Sequence, residues 1–368
     1  MKIIKITLLN SLMIFLLTVA LFAFSAPSFT QDYKVKKVGK AFSHPWGISV
    51  FDNDEVLITE RGGNLFKVNI KNGSRLKISN LPEVFNVRQG GLLDVLVDKE
   101  TVSERKVYIC YSSKVSGGSS TTLMAGTLKE DKLISKKILF KSNNVSESGV
   151  HFGCRLAILN DEIFMSIGDR GNRYEAQDVN SHAGSVIRVN KYDGSTREQK
   201  AYNSWPAEVY TKGHRNPQGM AINSKTNEIW VNEHGPKGGD EINIIKKGAN
   251  YGWPLATFGI DYDGSIISND TTIAGAEDPV YYWVPSIAPC GMNFYNSDTI
   301  PQWKGSLFLG ALAGKHLNRI TIEDQKVIGE ERLFSGMARF RQVIQGPDGY
   351  LYFITENPGN LYRVRPSN

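Results

Sequence analysis

The sequence predicts an all-β fold, a six-bladed β-propeller, on three observations. One pattern occurs six times: an apolar strand, a turn with Asp, Asn or Gly, a second strand and a polar loop. Apolar residues alternate with a period of two, and many are β-branched or aromatic, as is typical of strands. No long stretch after the N-terminal segment has the amphipathic period of a helix. A pair of β-sandwiches is the alternative, but it would not produce six similar units.

The six units follow one another along the chain. They occupy 46–68, 91–112, 154–171 (with a later strand at 184–190), 219–235, 291–322 and 341–364. The stretch YKVKKVGKAF, residues 33–42, is expected to pair into the last blade and close the ring. The propeller is therefore predicted to span residues 33–366 as one domain, a size that closed all-β folds often reach.

The N-terminal segment differs in kind from the repeats. Two lysines precede the apolar stretch 6–24, and small residues follow it. This layout predicts a secretory signal peptide over 1–25, with cleavage after Ser25 or Ser28. An uncleaved anchor is the alternative, because the apolar stretch is near spanning length. We expect cleavage, a periplasmic or secreted protein, and no membrane span afterwards.

The composition is mildly basic. The chain has 43 basic and 37 acidic residues, and its pI is near 9.0. No run of Lys and Arg resembles a nucleic-acid patch, so no nucleic-acid partner is expected. We interpret the small excess of basic residues as part of a binding site for an anionic ligand.

The three cysteines are Cys110, Cys154 and Cys290. An odd number in an exported protein leaves at least one free thiol. No CxxC or zinc-type spacing is present, so all three are expected to be small buried side chains.

Polar residues stand where the inner strands begin. In a propeller the first strand of each blade lines the axis, and its leading end faces one mouth of the channel. The residues expected to meet there are Gln89, His151, Arg215, Asn216, Arg339 and Arg341, joined by Lys315 from a strand end in blade five. Desolvated cations around a narrow axis repel one another unless an anion lies between them. Because arginine forks suit planar carboxylates, we predict a flat, multiply anionic ligand.

One of these residues is a candidate base. His151 is in register with Gln89 and Arg215, and Asp169 follows the second strand of the same blade, where it can orient the imidazole. An Asp-Arg-Gly turn is the alternative interpretation of Asp169. His44 and His214 are expected to be structural.

The segment NEHGPKGGDEINII, residues 232–245, contains a second group of candidate ligand-binding residues. The Gly235-Pro236 turn cannot continue a strand ladder, and it exposes carbonyl oxygens of the kind that hard cations bind. Asp240 and Glu241 supply carboxylates nearby. A tight loop with an acidic cap or turn is the alternative.

Taken together, these motifs resemble those of the soluble pyrroloquinoline quinone (PQQ)-dependent aldose sugar dehydrogenases, the glucose/sorbosone dehydrogenase family. The resemblance covers nearly the whole chain after the signal. The motifs that carry it are RQGGLLDV, HFGCRL, IGDRG, GHRNPQGMA, EHGPKGGDEIN, NYGWP, VPSIAPCGM, GALAGKHL and QGPDGYLY. It implies a six-bladed propeller with PQQ and Ca²⁺ at the axis.

The resemblance also implies roles for individual residues. The catalytic residues would be His151, Asp169 and Arg215. The PQQ-binding residues would be Gln89, His151, Arg215, Asn216, Lys315, Arg339 and Arg341. Gly235 and Pro236 would bind the Ca²⁺ at PQQ, and Glu241 and Tyr251 a second, structural Ca²⁺. Val150 and Cys154 depart from the family pattern, and Cys154 is expected to place a thiol near the quinone.

The implied reaction is oxidation of the C1 hydroxyl of an aldose to a lactone. His151 would act as general base, hydride would pass to PQQ, and Ca²⁺ would polarise the quinone. The electron acceptor is open (a quinone, a cytochrome or a dye), as is the choice between monomer and dimer. The alternatives are a non-catalytic propeller that binds carbohydrate or protein, and a Ca²⁺-dependent lactonase. The mostly cationic axial set counts against the lactonase.

Overall fold

The fold is a ring of six four-stranded antiparallel sheets, seen in a computed structural model that describes residues 33–101, 104–196 and 204–367. The prediction of an all-β, six-bladed propeller is confirmed. The signal peptide predicted over 1–25 lies outside the described residues. Among the described residues, no helix is long and apolar enough to cross a membrane.

Blades one to three occupy the first half of the chain. Blade one consists of β2 (Pro45–Val50), β3 (Glu55–Glu60), β4 (Asn64–Asn69) and β5 (Arg75–Ile78). Blade two consists of β6 (Leu92–Val97), β7 (Lys106–Val115), β8 (Gly118–Lys129) and β9 (Lys132–Lys141). Blade three consists of β10 (Leu156–Leu159), β11 (Glu162–Ile167), β12 (Ser185–Asn190) and β13 (Val209–Lys212).

Blades four to six follow in the same order. Blade four consists of β14 (Pro217–Asn223), β15 (Glu228–Glu233), β16 (Asp240–Ile244) and β17 (Tyr281–Trp283). Blade five consists of β18 (Pro289–Phe294), β19 (Leu307–Ala311), β20 (His316–Glu323) and β21 (Lys326–Leu333). Blade six consists of β22 (Arg339–Gln345), β23 (Leu351–Glu356), β24 (Gly359–Pro366) and, from the other end of the chain, β1 (Tyr33–Phe42). The helical segments described are short 3-10 turns at Lys99–Thr101, Arg173–Gln177 and Pro301–Trp303.

The ring is closed by the N-terminal strand, as predicted. β1 pairs antiparallel with β24, with Tyr33 opposite Pro366 and Val38 opposite Leu361. The first strands of successive blades contact one another around the ring, which makes them the lining of the axis. The start of each first strand therefore lies close to the starts of the other five.

The core lies between neighbouring sheets. One apolar cluster joins blades two and three and includes Tyr108, Leu123, Ile163 and Met165. Period-two alternation places one set of side chains on each face of a sheet, and both faces of a blade are covered by its neighbours. The central strands are consequently buried along nearly their whole length, as in β11 and β23.

The cysteines are all buried, as expected, but two of them are not independent side chains. Cys110 in β7 and Cys154, just before β10, form a disulfide that links blade two to blade three. Cys290 is free and buried. The expectation of a thiol at Cys154 is therefore wrong, because the pairing of two cysteines 44 residues apart follows from blade packing and not from spacing in the sequence.

Candidate active site

The backbone is unusual at the mouth where the inner strands begin. Non-glycine residues with left-handed φ angles precede four of the first strands: His44 (49°), Arg88 (52°), His151 (50°) with Cys154 (69°), and Ala288 (53°). Such conformations cost free energy and persist where the surroundings enforce them, which occurs often at functional sites. The same conformation thus recurs where the inner strands of blades one, two, three and five begin.

His151 and Asp169 form a hydrogen-bonded pair at this mouth. Nδ1 of His151 lies 2.7 Å from Oδ1 of Asp169, and the main-chain N–H of His151 donates to Oε1 of Gln89 at 2.8 Å. Asp169 also accepts hydrogen bonds from the main-chain N–H of Gly171 (2.8 Å) and from Nε1 of Trp253 (2.9 Å). Three donors converge on one buried carboxylate.

These contacts fix the protonation of the pair. Burial opposes ionisation of Asp169, but the hydrogen bonds from His151 and Gly171 hold its pKa below the usual range. Burial lowers the pKa of His151, and although Asp169 acts in the opposite direction, the pKa stays below the usual 6.5. At neutral pH a neutral imidazole therefore donates its Nδ1–H to an ionised carboxylate, which leaves Nε2 with a lone pair. That is the state a general base requires.

The segment GHRNPQ, residues 213–218, enters the site between blades three and four. Nη1 of Arg215 donates to the carbonyls of His234 (3.1 Å) and Gly235 (2.8 Å), and its guanidinium lies 5.5 Å from the centre of the Trp253 ring. Asn216 is buried, and its Oδ1 accepts from the main-chain N–H of Gly153 at 3.3 Å. Arg215 thus lies beside the pair, whereas Asn216 supports the backbone that carries His151.

His214 is enclosed instead of facing the mouth. Its Nδ1 lies 2.7 Å from Oε1 of Glu233, its Nε2 lies 2.9 Å from Oγ1 of Thr211, and its ring stacks on Tyr251 at 4.7 Å. With both ring nitrogens engaged and no exposed surface, this imidazole has a structural environment.

A cavity of about 440 Å³ opens beside His151 at the axis. Its lining includes Gln89, Arg339 and Arg341 from the predicted set and the aromatic side chains of Trp46 and Phe152. The other lining residues are His44, Arg61, Leu93, Gly153, Gln218, His234, Ala288, Leu312, Glu356 and Asn357.

The cationic character of the cavity is partly offset by Glu356. Nη2 of Arg341 lies 2.9 Å from Oε2 of Glu356, and Nε of Arg339 lies 3.8 Å from the same oxygen. Burial opposes ionisation of Glu356, but Arg341 holds its pKa below the usual range. Three arginines, including Arg61, thus face one carboxylate, so the expectation of an excess of positive charge holds, although the counter-ion was not foreseen.

A buried ion pair lies beneath the cavity. Nη1 of Arg155 is 2.9 Å from Oδ1 of Asp94, and Nε donates to the carbonyl of Gln218 at 2.9 Å. The guanidinium stacks 4.0 Å from the centre of the Trp46 ring. These contacts tie the inner strands of blades two, three and four together and hold Trp46 in the cavity wall.

Lys315 lies apart from this lining. It is exposed, in the turn between β19 and β20, with a φ of 51°, and its carbonyl accepts from the N–H of Gly336. The structure therefore places Lys315 among the mouth loops of blade five and not in the cavity wall.

The residues proposed for Ca²⁺ fall into two groups. The Gly235-Pro236 turn is buried, the Gly235 carbonyl faces Arg215, and its N–H donates to Oδ1 of Asp240 at 2.8 Å. Among the described residues, no cluster of three or more His, Cys, Asp or Glu side chains has metal-binding geometry. A cation here would depend on carbonyl oxygens.

The second group is Glu241 and Tyr251. Burial and the neighbouring carboxylate of Glu233 raise the pKa of Glu241 well above its usual range. The hydroxyl of Tyr251 is occupied, because it donates to the carbonyl of Ile244 at 2.7 Å and accepts from the N–H of Lys246 at 2.9 Å. Its main-chain carbonyl is the group left to bind a cation.

Several site residues escaped the sequence analysis. Arg61, His234 and Glu356 each stand at or directly after the second strand of a blade, the position that also holds Asp169. The antiparallel return of the second strand brings its end to the mouth, so this position was available as a signal. Trp253 had no such signal, because it comes from the long segment 245–280 between β16 and β17.

Comparison with known proteins identifies the family. Residues 42–363 match the family described as Glucose / Sorbosone dehydrogenase. The chain belongs to this family. It is 40% identical over 337 residues to the aldose sugar dehydrogenase YliI of Escherichia coli (strain K12), covering 88% of this chain and 91% of that protein.

Solved structures agree with this family assignment. The crystal structure of the soluble aldose sugar dehydrogenase from Escherichia coli in the apo-form has a TM-score of 0.86 and 37% identity, covering 91% of this chain and 100% of that chain. The PQQ-bound form of an aldose sugar dehydrogenase from Streptomyces coelicolor has a TM-score of 0.75 and 23% identity, covering 91% and 98%; at this identity the likeness concerns the fold.

Family membership confirms two predictions, the resemblance itself and the enzyme class, an oxidoreductase that acts on CH–OH groups of sugars. It favours a dehydrogenase over both alternatives, the non-catalytic propeller and the lactonase.

Proposed function

We propose that this protein oxidises the C1 hydroxyl of aldose sugars to lactones, with PQQ as cofactor, Ca²⁺ at the cofactor and His151 as general base. The observation that carries the proposal is the hydrogen bond between a neutral His151 and an ionised Asp169 beside a cavity lined by arginines and aromatic side chains. The apolar stretch 6–24 supports a periplasmic or secreted location, which is also a proposal.

The cavity suits a flat polycarboxylate such as PQQ. Trp46 and Phe152 contribute aromatic side chains to its wall, and Arg61, Arg339 and Arg341 offer donors with fork geometry. The Nε–H groups of Arg61 and Arg341 are buried without a hydrogen-bond partner, which is costly for a charged group. An anionic ligand would satisfy them.

A Ca²⁺ ion fits the donor chemistry of both groups of residues. The Gly235-Pro236 turn presents carbonyl oxygens, which are hard ligands of the kind Ca²⁺ prefers. At the second position, Glu241 and Glu233 are neighbouring carboxylates, and a cation would relieve their repulsion. When bound, PQQ supplies the two-electron acceptor and Ca²⁺ a Lewis acid beside it.

The chain's own residues prepare the sugar for oxidation. Nε2 of His151 takes the proton of the C1 hydroxyl, and Asp169 stabilises the imidazolium that forms while keeping the ring oriented. Trp253 holds the second oxygen of Asp169, and the Arg215 guanidinium lies beside both groups, where it can bind a sugar oxygen. The segment 245–280 brings Trp253 into contact with Asp169.

Reconstitution tests the proposal. The purified protein is incubated with PQQ and Ca²⁺, and turnover of a pentose and a hexose is followed with an artificial dye acceptor. We expect activity that depends on both additions and that is lost in excess chelator and restored by Ca²⁺, but poorly by Mg²⁺, which demands a tighter octahedral site. Saturation with PQQ at a hundred times its Kd should also stabilise the fold by about 2.7 kcal/mol. Full turnover without PQQ, or after prolonged chelation, would contradict the cofactor assignment.

A further inference from the structure

The basic charge of this protein is concentrated on one side of the ring. The outermost strands of blades six, one and two, which are β1, β5 and β9, carry ten basic residues and no acidic one. These residues are Lys34, Lys36, Lys37, Lys40, Arg75, Lys77, Lys132, Lys136, Lys137 and Lys141. All ten are exposed, and we call this surface the basic face.

The three strands form one continuous surface. Nη1 of Arg75 donates to the carbonyl of Ala41 at 3.0 Å, which joins β5 to the end of β1. Two main-chain hydrogen bonds join β5 to β9. The N–H of Ser79 donates to the carbonyl of Asp131 at 2.7 Å, and the N–H of Leu133 donates to the carbonyl of Ser79 at 3.1 Å. The basic side chains of three blades therefore lie side by side.

The asymmetry is larger than the net charge of the chain suggests. The chain has 43 basic and 37 acidic residues, so without the ten of the basic face 33 basic residues remain against 37 acidic ones. The rest of the protein is net acidic. The basic excess that the sequence analysis assigned to the axial ligand belongs mainly to this outer face.

Protection of sheet edges does not explain the distribution. Lysines on edge strands prevent edge-to-edge aggregation, and every blade has such an edge. The outermost strands of the other blades carry no such excess of positive charge: β17 has no charged residue, Lys212 in β13 is buried, and β21 carries two acidic and two basic residues. Among the described residues, no carboxylate pairs within 4.0 Å with any of the ten basic side chains.

We propose that the basic face binds an anionic lipid surface. Nine of its ten basic residues are lysines, which act as point charges and suit a diffuse layer of headgroups, whereas specific protein partners select arginine forks and aromatic anchors. Leu76 and Ile138 are exposed within the face, at 43% and 56%, and can enter the headgroup layer. In the sequence, β1 is also the strand that follows the apolar stretch 6–24.

An acidic electron-accepting protein fits this face less well. The basic face belongs to the fourth strand of each blade, and three strand spacings of about 4.8 Å put it roughly 14 Å beyond the inner strands. A protein that accepts electrons from a cofactor in the axial cavity would lie nearer to that cofactor at the mouth than at the basic face. Binding a membrane side-on leaves the mouth open to sugar.

Sedimentation with lipid vesicles tests the proposal. The protein is the chain from residue 26 onward, which keeps all 24 strands; the solved Escherichia coli relative is matched over its whole length by 91% of this chain. Phosphatidylcholine vesicles with and without phosphatidylglycerol are compared at about 0.1 M and about 1 M salt, where the Debye length falls from ~10 to ~3 Å. We expect binding that requires phosphatidylglycerol and is lost at high salt.

Charge variants locate the surface. The triple variant Lys34→Gln, Lys36→Gln, Lys37→Gln should weaken vesicle binding roughly a hundredfold, at roughly fivefold per lysine. The matched control removes the same charge from blades four and five with Lys225→Gln, Lys304→Gln and Lys326→Gln, and should bind nearly as the parent does. Three results would overturn the proposal: the two triple variants lose the same affinity, the parent binds neutral and anionic vesicles equally, or the parent does not bind anionic vesicles. The last result would favour an acidic protein partner.

Discussion

Replacing His151 with asparagine tests the proposed base most directly. Asparagine tolerates the left-handed φ of 50° at this position, and its amide can still donate to Asp169, but it cannot take a proton. The backbone contact from residue 151 to Gln89 survives, and the histidine side chain is not part of the cavity wall. The variant should therefore fold and bind PQQ like the parent.

The expected loss lies in the chemical step. A positioned general base contributes a factor of about 10²–10⁴, which corresponds to roughly 3–5 kcal/mol of activation free energy. The pH dependence should change as well. Because burial lowers the pKa of His151 below 6.5, the parent should keep its activity as the pH falls to 6.5 and lose it only at lower pH. The residual activity of His151→Asn should lack that decline.

The assay is steady-state turnover against pH at equal PQQ occupancy. The matched control is His182→Asn, which removes another buried histidine of the same blade that is paired with a carboxylate, Glu208, at 2.7 Å. It should keep near-parental kcat per folded molecule. If His151→Asn retained parental kcat, or if His182→Asn lost as much, the assignment of the base would be wrong.

Three further predictions concern binding and stability. Arg341→Gln should weaken PQQ binding by about ten- to a hundredfold, because one charge-assisted contact contributes about 1.5–3 kcal/mol. The loss is measured as a smaller rise in Tm on adding PQQ, and an unchanged rise would show that Arg341 does not contact the cofactor. Replacing Cys110 and Cys154 with alanine should lower the free energy of unfolding by about 4 kcal/mol, because the disulfide closes a loop of 44 residues in the unfolded chain. If urea unfolding showed nearly the same free energy for variant and parent, the disulfide would not form. Burial lowers the pKa of His234 to about 3, so below pH 6.5 the unfolded state binds one more proton than the folded state. The free energy of unfolding should therefore fall by about 1.4 kcal/mol per pH unit on acidification. His234→Gln should reduce that slope by the same amount, and an unchanged slope would contradict the burial argument.

The fold was decided by local properties of the sequence. Period-two alternation and turn residues are determined by neighbours in the chain, and six repeats of one unit leave few ways to bury both faces of each sheet. The same repeat placed His151, Gln89 and Arg215 at equivalent strand starts, so their convergence followed from the topology alone. The family motifs then supplied the expected chemistry.

Tertiary structure decided which groups touch. Trp253 reaches Asp169 from 84 positions away, Glu356 meets Arg341 across a hairpin, and Cys110 meets Cys154 across two blades. The Trp253–Asp169 and Cys110–Cys154 contacts have no fixed spacing in the sequence, because each depends on how neighbouring blades pack. The Arg341–Glu356 contact depends on the register of the β22–β23 hairpin. The number of basic residues is known from the sequence, but only the lateral packing of β1, β5 and β9 brings ten of them together on a single surface.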